Sequence, residues 1–459
     1  MTSQKTHKHK GPKKLWLVVD VRHTDRESSE IAFYIRELIE AIVILMKDEK
    51  RYENLKLLLI HKKTPLSWMR KLVYANPLHV RSWCGGPGAL SSKFDSPSWY
   101  WSTRVFQEIK DYTENSFVWF APANFDRPLF LSRQKCLNKV IQVVHDAIPF
   151  LNLGGLKFFY ALQFRFFVKR VLKKFPHIVC VSKHTGDALK KFSKSKSRNV
   201  LLMPHGINSI YGHFKKPRSR YECLQLRRDF SLVKSIKESG LSNDSFVSLV
   251  DSFWALGVGR SVKYKNWSLA QKASFDFEKN GTKAWFFRIG LDVQELHSYK
   301  AKHKVVVFDN GVIIEDLRIV ALPKAQNKLL SEIYRLSDIL LHPSKGEGFG
   351  FPPLEAALSG LPVAYRSDTA VSSHFSKGSL PKSYWREVCS DKVEHWVSAM
   401  FKMLPFEDND FTKELLSSSD VRNLILKKSQ MADYTWQSSA KKLLNSIFND
   451  NGQVNKSFL

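Results

Sequence analysis

Cysteine is scarce in this 459-residue chain. The five, Cys84, Cys136, Cys180, Cys223 and Cys389, are scattered, odd in number and never in a C-x-x-C pair. That speaks against a disulfide framework or a zinc site and fits a reducing compartment. Acidic residues are also short: 43 Asp and Glu stand against 72 Lys and Arg, a net charge of +29. Such an excess predicts a polyanionic partner surface, either nucleic acid or anionic lipid headgroups. Long hydrophobic runs are missing too. The apolar run at 15–19 is ended by Asp20 and is too short for a signal-peptide core. No stretch reaches the roughly 18 uncharged apolar residues of a membrane-crossing helix. The expectation is a cytoplasmic protein that touches the inner face of the cell membrane only peripherally.

What is present excludes disorder of the whole chain: 43% of residues are hydrophobic, and 32 are Phe. The length suits two domains. Short apolar runs alternate with longer amphipathic ones, which reads as α/β. Strands are expected at 15–20, 55–60, 117–120, 140–144, 178–181 and 200–203, and a helix at 28–46 with a buried stripe of Ile31, Ile35, Leu38, Ile39, Ile42 and Leu45. From 212 to 244 the rhythm stops. It resumes with strands at 253–258, 284–289, 305–308, 318–322, 339–342 and 361–365. The expected organisation is a basic flexible tail (1–14), a Rossmann-like half (15–211), a linker with a helical insert (212–244), a second Rossmann-like half (245–433) and a C-terminal helical segment (434–459) packing back on the first. The two halves should face a cleft. In open parallel sheets, ligands collect beyond the carboxyl ends of the strands. The segments 145–149, 182–185 and 204–208 should therefore rim one crevice.

The strongest chemical signal is Pro343-Ser-Lys-Gly-Glu-Gly-Phe-Gly-Phe-Pro-Pro-Leu-Glu355. Gly348 and Gly350, on either side of Phe349, let backbone N–H groups approach an oxyanion. Pro352 and Pro353 suit a first helical turn, and a helix is expected at 354–359. A helix start behind a glycine loop is an anion site. Glu347 and Glu355 flank it, which makes sense if hydroxyls hang on both sides of a phosphate, as in a nucleotide sugar. The bland alternative is a capped helix with solvated acids. Arg260 and Lys265 follow the strand 253–258 and suit a diphosphate clamp, since fixed cations stabilise the charge growing on a leaving group; the alternative for each is a solvated surface cation. His145 directly follows the strand 140–144, and would otherwise be a histidine packed under a loop.

Glu347 and Glu355, with seven residues between them, resemble the E-x7-E signature of retaining GT-B glycosyltransferases of glycosyltransferase family 4. His145-Asp-Ala-Ile-Pro149 is similar to that family's HD-x-IP loop, Val181-Ser-Lys-His-Thr185 to its VS-x-x-T segment, Pro204-His-Gly-Ile-Asn208 to its PNGV turn, and Gly257-Val-Gly-Arg260 with Lys265-Asn266 to its VGR…KN motif. One departure lies at 21–29, where the family often has a glycine-rich loop and this chain has no glycine. The resemblance implies a GT-B fold and transfer of a hexose with retention, without a metal or cofactor. Its donor is a nucleotide diphosphate sugar, with GDP-mannose the first guess from mannosyltransferases carrying a similar EGFG-x-PPLEA block. The acceptor is a growing, lipid-linked glycan. It implies catalytic roles for His145, Glu347 and Lys265, with His145 near the reacting carbon, and donor contacts from Arg260, Lys265, Gly348, Phe349, Gly350 and Glu355. The base is expected near Leu322 and Pro323.

The segment 156–175 holds much of the Phe excess. Ala161, Phe164, Val168, Val171, Leu172 and Phe175 form one stripe that should face the sheet. Phe158, Phe159, Leu162 and Phe166 lie among Arg165, Lys169, Arg170 and Lys173 on the other face, the mixture an interfacial helix needs at anionic lipid. The alternative is a helix buried on both faces. Two further readings of the chain stay open: a protein-glycosylating or inactive GT-B relative, and a nucleic-acid-binding protein favoured only by charge.

Overall fold

A computed structural model describes residues 14–21, 24, 30–61, 65–84, 107–122, 137–151, 158–166, 175–193, 200–208, 210–211, 219–375, 384–404 and 434–458. The chain divides into two compact units, one of Met1–Phe150, Phe159–Gly206 and Tyr434–Leu459, the other of Leu151–Phe158 and Ile207–Asp433.

The first unit is built on a parallel sheet of β1 (Leu15–Asp20), β2 (Leu55–His61), β3 (Val80–Cys84), β4 (Phe117–Ala121), β5 (Val140–Val144), β6 (His177–Cys180) and β7 (Val200–Leu202). The strand order is β3-β2-β1-β4-β5-β6-β7. β4 and β5 are buried at every position, as strands covered on both faces must be. The order reverses at β1, where Leu17 pairs with Leu57 on one side and Val118 on the other. The helix Glu30–Asp48 returns from β1 with Ile35, Leu38, Ile39 and Ile42 buried. The helix Trp436–Ile447 packs on it: Trp436 meets the rings of Phe33 and Tyr34, and Lys441 reaches Glu49 at 3.4 Å. β3 was not expected from the sequence. It is an edge strand, Val-Arg-Ser-Trp-Cys, whose charge breaks the apolar signature.

In the segment read as interfacial, the described helix is Phe158–Phe166. Phe164 and Phe175 are buried in the core of the first unit, while Leu162 and Phe166 are about half exposed. Arg165 is partly buried and donates from Nε to the Pro149 carbonyl at 3.0 Å, so it is drawn inward rather than projected among exposed rings. The side chains of Phe158 and Phe159, and all of Lys169, Arg170 and Lys173, lie outside the described residues.

The second unit holds β8 (Phe253–Val258), β9 (Glu278–Lys279), β10 (Thr282–Ile289), β11 (Val305–Phe308), β12 (Gly311–Ile314), β13 (Ile319–Leu322), β14 (Ile339–His342), β15 (Val363–Arg366) and β16 (Trp385–Val388). The order is β11-β12-β13-β10-β8-β14-β15-β16, with β9 paired to β10. From β13 to β16 the ladder is parallel; β11 and β12 form an antiparallel hairpin at one edge. β16, Trp-Arg-Glu-Val, escaped the sequence reading for the reason that hid β3, an edge strand whose charges break the apolar signature; β12, Gly-Val-Ile-Ile, is apolar but only four residues long.

Where a linker with a helical insert was expected, the described chain forms three helices, Arg220–Asp229, Ser231–Glu238 and Asn243–Asp251. One buried cation ties them to the sheet. Arg227 is fully buried. It donates to Asp338 Oδ2 at 2.6 Å and to the carbonyls of Leu336 and Ser252, and its guanidinium lies 4.1 Å from the Trp254 ring centre. Asp338 also accepts from the Trp254 N–H at 2.6 Å and from Arg220 at 3.2 Å. Burial alone would raise the Asp338 carboxyl, but Arg227 and Arg220 hold it below its ordinary range. Arg227→Ala should therefore cost about 3–5 kcal/mol of unfolding free energy, because it strands a buried charge. The Asp338 contribution is complete above the unfolded carboxyl pKa of about 4 and is lost as pH falls through the lower folded value. Urea titrations at pH 7 and pH 3 check both points: Asp338→Asn should destabilise strongly at the first and less at the second.

Candidate functional site

The second unit's site grows from the carboxyl ends of β8, β10, β13 and β14. After β8 the chain turns at Gly259, whose φ is +143°. A Cβ there would lie 3.1 Å from the Trp267 ring. Gly290, after β10, has φ +95°, and a Cβ would fall 2.4 Å from the Gly259 carbonyl oxygen, so only glycine admits this approach. Arg288 crosses the same corner. Its Nη1 donates to the Gly259 carbonyl at 2.6 Å, its Nη2 reaches Glu295 at 3.4 Å, and its guanidinium covers the Trp267 ring. This corner fixes the path of the chain into the 3-10 turn Lys263–Lys265. Asn266 then takes the left-handed conformation and opens the helix Trp267–Asp276. The Lys345 N–H donates to the Tyr264 carbonyl at 2.8 Å, tying this turn to the loop after β14.

That tie brings three buried groups together. Lys265 Nζ and His342 Nε2 each lie 2.7 Å from Glu347 Oε1. Lys265 and Glu347 are each 8% exposed and His342 is 1% exposed. Lys265 is thus no solvated surface cation. Burial would raise the Glu347 carboxyl, but Lys265 and His342 together hold it far below the ordinary carboxylate range. Burial pushes His342 down, and Lys265 adds to that, against the pull of Glu347. The ring is therefore neutral at pH 7, and an ionised Glu347 requires its Nε2–H to donate. His342 Nδ1 is buried with no hydrogen-bond partner. His342 went unremarked in the sequence. Its signal was a histidine as the last residue of an otherwise apolar buried strand.

Gly350 follows with φ +90°, and a Cβ there would sit 2.6 Å from Val371. The helix Phe351–Leu358 starts three residues before its expected position, because the fixed φ of Pro352 and Pro353 is already helical. Those prolines delete two of the amide donors that a helix start leaves open. Phe349 is buried against Phe351 and His374, and its carbonyl accepts from His374 Nε2 at 2.6 Å. Burial pushes His374 down to about 4. Glu355 accepts from the Tyr334 hydroxyl at 2.9 Å and also from that of Tyr211. Burial first, then this carboxylate, raises both phenols. Neither tyrosine was foreseen. Leu322 is buried, and its carbonyl accepts from Gly290 at 2.8 Å. Gly348 is partly buried, and Pro323 and Arg260 are exposed.

In the first unit, three of the expected loops do meet. His145 stacks on His205 with centroids 5.4 Å apart and planes at 13°. The Thr185 hydroxyl donates to the His145 carbonyl at 3.4 Å. His145 Nε2 lies 2.6 Å from the Pro122 carbonyl. Tyr34 stands edge-on to both histidines, and Trp436 closes on Tyr34 and His205. Burial, with His145 nearby, drives His205 well below its ordinary value and keeps it neutral. Asp146 accepts from the Ile148 N–H at 3.0 Å, which holds the loop.

No family model matches the chain. Over 258 residues, 56% of its length, it is 24% identical to the O-antigen chain mannosyltransferase RfbU of Salmonella typhimurium strain LT2, and the match spans 58% of that relative. Sucrose-phosphate synthase from Thermosynechococcus elongatus superposes with a TM-score of 0.61 at 14% identity, over 94% of this chain and 97% of that one. Anabaena HepE, solved with UDP and glucose, gives 0.57 at 11% identity, over 94% and 100%. The chain has the GT-B fold. The strand order reverses at β1 in the first unit and at β8 in the second, the kind of position where open α/β sheets collect ligands. Among the described residues no helix is long and apolar enough to cross a membrane. One contact within the first unit is testable. A Cβ on Gly206 would lie 2.5 Å from the Trp436 ring and backbone N. Gly206→Ala should lower the melting temperature and raise amide exchange across Trp436–Ile447; unchanged exchange there would contradict the contact.

Proposed function

We propose that this protein is a glycosyltransferase that moves a hexose from a nucleotide diphosphate sugar to a growing, lipid-linked glycan. The observation that carries the reading is the pair of carboxylates, Glu347 and Glu355, on either side of a glycine turn at a helix start, with Lys265 buried beside the first. Lys265 has three N–H donors, so bonding Glu347 leaves capacity for a phosphate oxygen. In the proposed roles, Lys265 and Arg260 take the diphosphate, Glu355 the ribose, Glu347 the transferred sugar, and Leu322 and Pro323 border the base. His145 meets the sugar near its reacting carbon. Transfer is with retention. The bond from the anomeric carbon to the diphosphate breaks, a bond to the acceptor oxygen forms on the same face, and the acceptor's proton passes to the departing phosphate. The reading includes no metal requirement, with positive charge supplied by Lys265, Arg260 and loop amides. GDP-mannose is the first donor to test, on the resemblance to mannosyltransferases and the partial likeness to RfbU.

A thermal-shift series with GDP-, UDP- and dTDP-sugars beside an oligonucleotide tests the class: a shift with one sugar nucleotide and none with the oligonucleotide is expected. Lys265→Ala should then lower kcat more than it raises the donor KM, because the charge it meets grows along the reaction. Intact turnover at saturating donor would remove Lys265 from the mechanism. Activity in EDTA and retained anomeric configuration by proton NMR complete the test; loss restored by magnesium, or an inverted product, would overturn those parts.

We also propose peripheral attachment to anionic membrane through the helix Phe158–Phe166, supported by the exposed Leu162 and Phe166 and by the chain's net charge. Wild type should float with anionic liposomes, with part of the binding resistant to salt, and a Leu162→Ser, Phe166→Ser variant should lose that part. Equal flotation of the variant would sink the proposal.

A further inference from the structure

The carboxylate of Glu347 is held from one side only. Lys265 and His342 both donate to Oε1, each at 2.7 Å. Oε2 receives no hydrogen bond among the described residues. The two tethers differ in kind. Lys265 is a point charge on a flexible four-carbon stem at the end of a 3-10 turn. His342 is a rigid ring at the end of β14, buried, with the Trp267 ring at 6.3 Å. Between His342 and Glu347 the chain curls back on itself, with Ser344 Oγ donating to the Gly346 carbonyl at 3.0 Å and Lys345 tied to Tyr264. A donor diphosphate would also draw on Lys265, whose flexible stem can shift toward it. The imidazole bond would then be the fixed constraint on where the carboxylate points.

We infer that His342 is a positioning residue, holding Glu347 by Oε1 so that Oε2 is presented to the hydroxyls of the transferred hexose. This rests on the glycosyltransferase reading above. His342 does not touch the donor; it acts through Glu347, on the sugar and not on the nucleotide. A histidine that merely fills space under the loop would leave sugar recognition untouched, or would disturb both halves of the donor alike.

Calorimetry on the full chain separates these cases, with GDP and GDP-mannose as one pair of ligands and UDP and UDP-glucose as another. His342→Leu should bind the nucleoside diphosphate within about twofold of wild type and its hexose derivative about tenfold more weakly, the scale of one lost charge-assisted hydrogen bond. His342→Gln carries an amide donor at the reach of Nε2 and should recover the hexose derivative to within about threefold. If His342→Leu does not fold, His342→Asn replaces it, since its amide is too short to reach Glu347 and the same loss is expected. Equal loss for both ligands, no loss, or a glutamine variant no better than leucine would overturn the inference while leaving the glycosyltransferase reading in place. Wild type binding no nucleotide at all would overturn both.

Discussion

A buried carboxylate must be paired or it will not stay ionised, and the second unit is arranged around that constraint at Glu347. One partner, Lys265, comes from the turn after β8; the other, His342, ends β14. The two strands must therefore be neighbours, as they are, with Leu340 opposite Leu256. The glycines serve the same end. A Cβ on Gly257 would fall 2.6 Å from Phe286 and 3.1 Å from Trp267, so the β8 strand can pack there only without a side chain. Gly259 and Gly290 then let the turn fold over the Trp267 ring to deliver Lys265.

The sheet order explains why this happens at β8 and not elsewhere. β8 is the first strand of its unit, and the chain runs outward from it first through β10 and later through β14. Loops leaving adjacent strands in opposite directions cannot cover the gap between them, and polar side chains gather there. In the first unit β1 occupies the corresponding place, and the group that collects is different. Neutral, buried His205 packs with His145, Tyr34 and a tryptophan from the last helix of the chain. One unit stabilises charge; the other stacks rings.

The sequence made the central strands legible because they are buried on both faces and so are continuous apolar runs. It hid β3 and β16, edge strands that carry Arg81, Arg386 and Glu387. It read as a linker with a helical insert over 212–244 and left that segment's tie to the sheet unseen for a related reason: a buried arginine such as Arg227 looks like any surface charge until its partner, Asp338, is found across the fold. The same limit governs the site. Glu347, Glu355 and the glycines are local and readable as a string. Lys265 was readable as a cation, but not as one committed to Glu347. The Tyr211 and Tyr334 hydroxyls on Glu355, and the His342 ring on Glu347, are products of packing.

Pairing also separates the chain's charge from its chemistry. Four cations around the strand ends are matched: Lys265 with Glu347, Arg288 with Glu295, and Lys345 and Arg366 with Asp391. Burial alone would raise the Asp391 carboxyl, yet the bonds from Lys345 and Arg366 hold it below its ordinary range. With 43 acids for 72 bases, carboxylates spent at the strand ends are not available to offset Lys and Arg elsewhere. These four cations and three carboxylates account for only one charge of the excess of +29; the rest is carried elsewhere in the chain. A field of that kind acts over a Debye length of about 8 Å at physiological salt and draws in extended anionic surfaces without discriminating among them. In the proposed function, discrimination comes from the short-range, buried arrangement at β8 and β14, where every hydrogen bond has a direction.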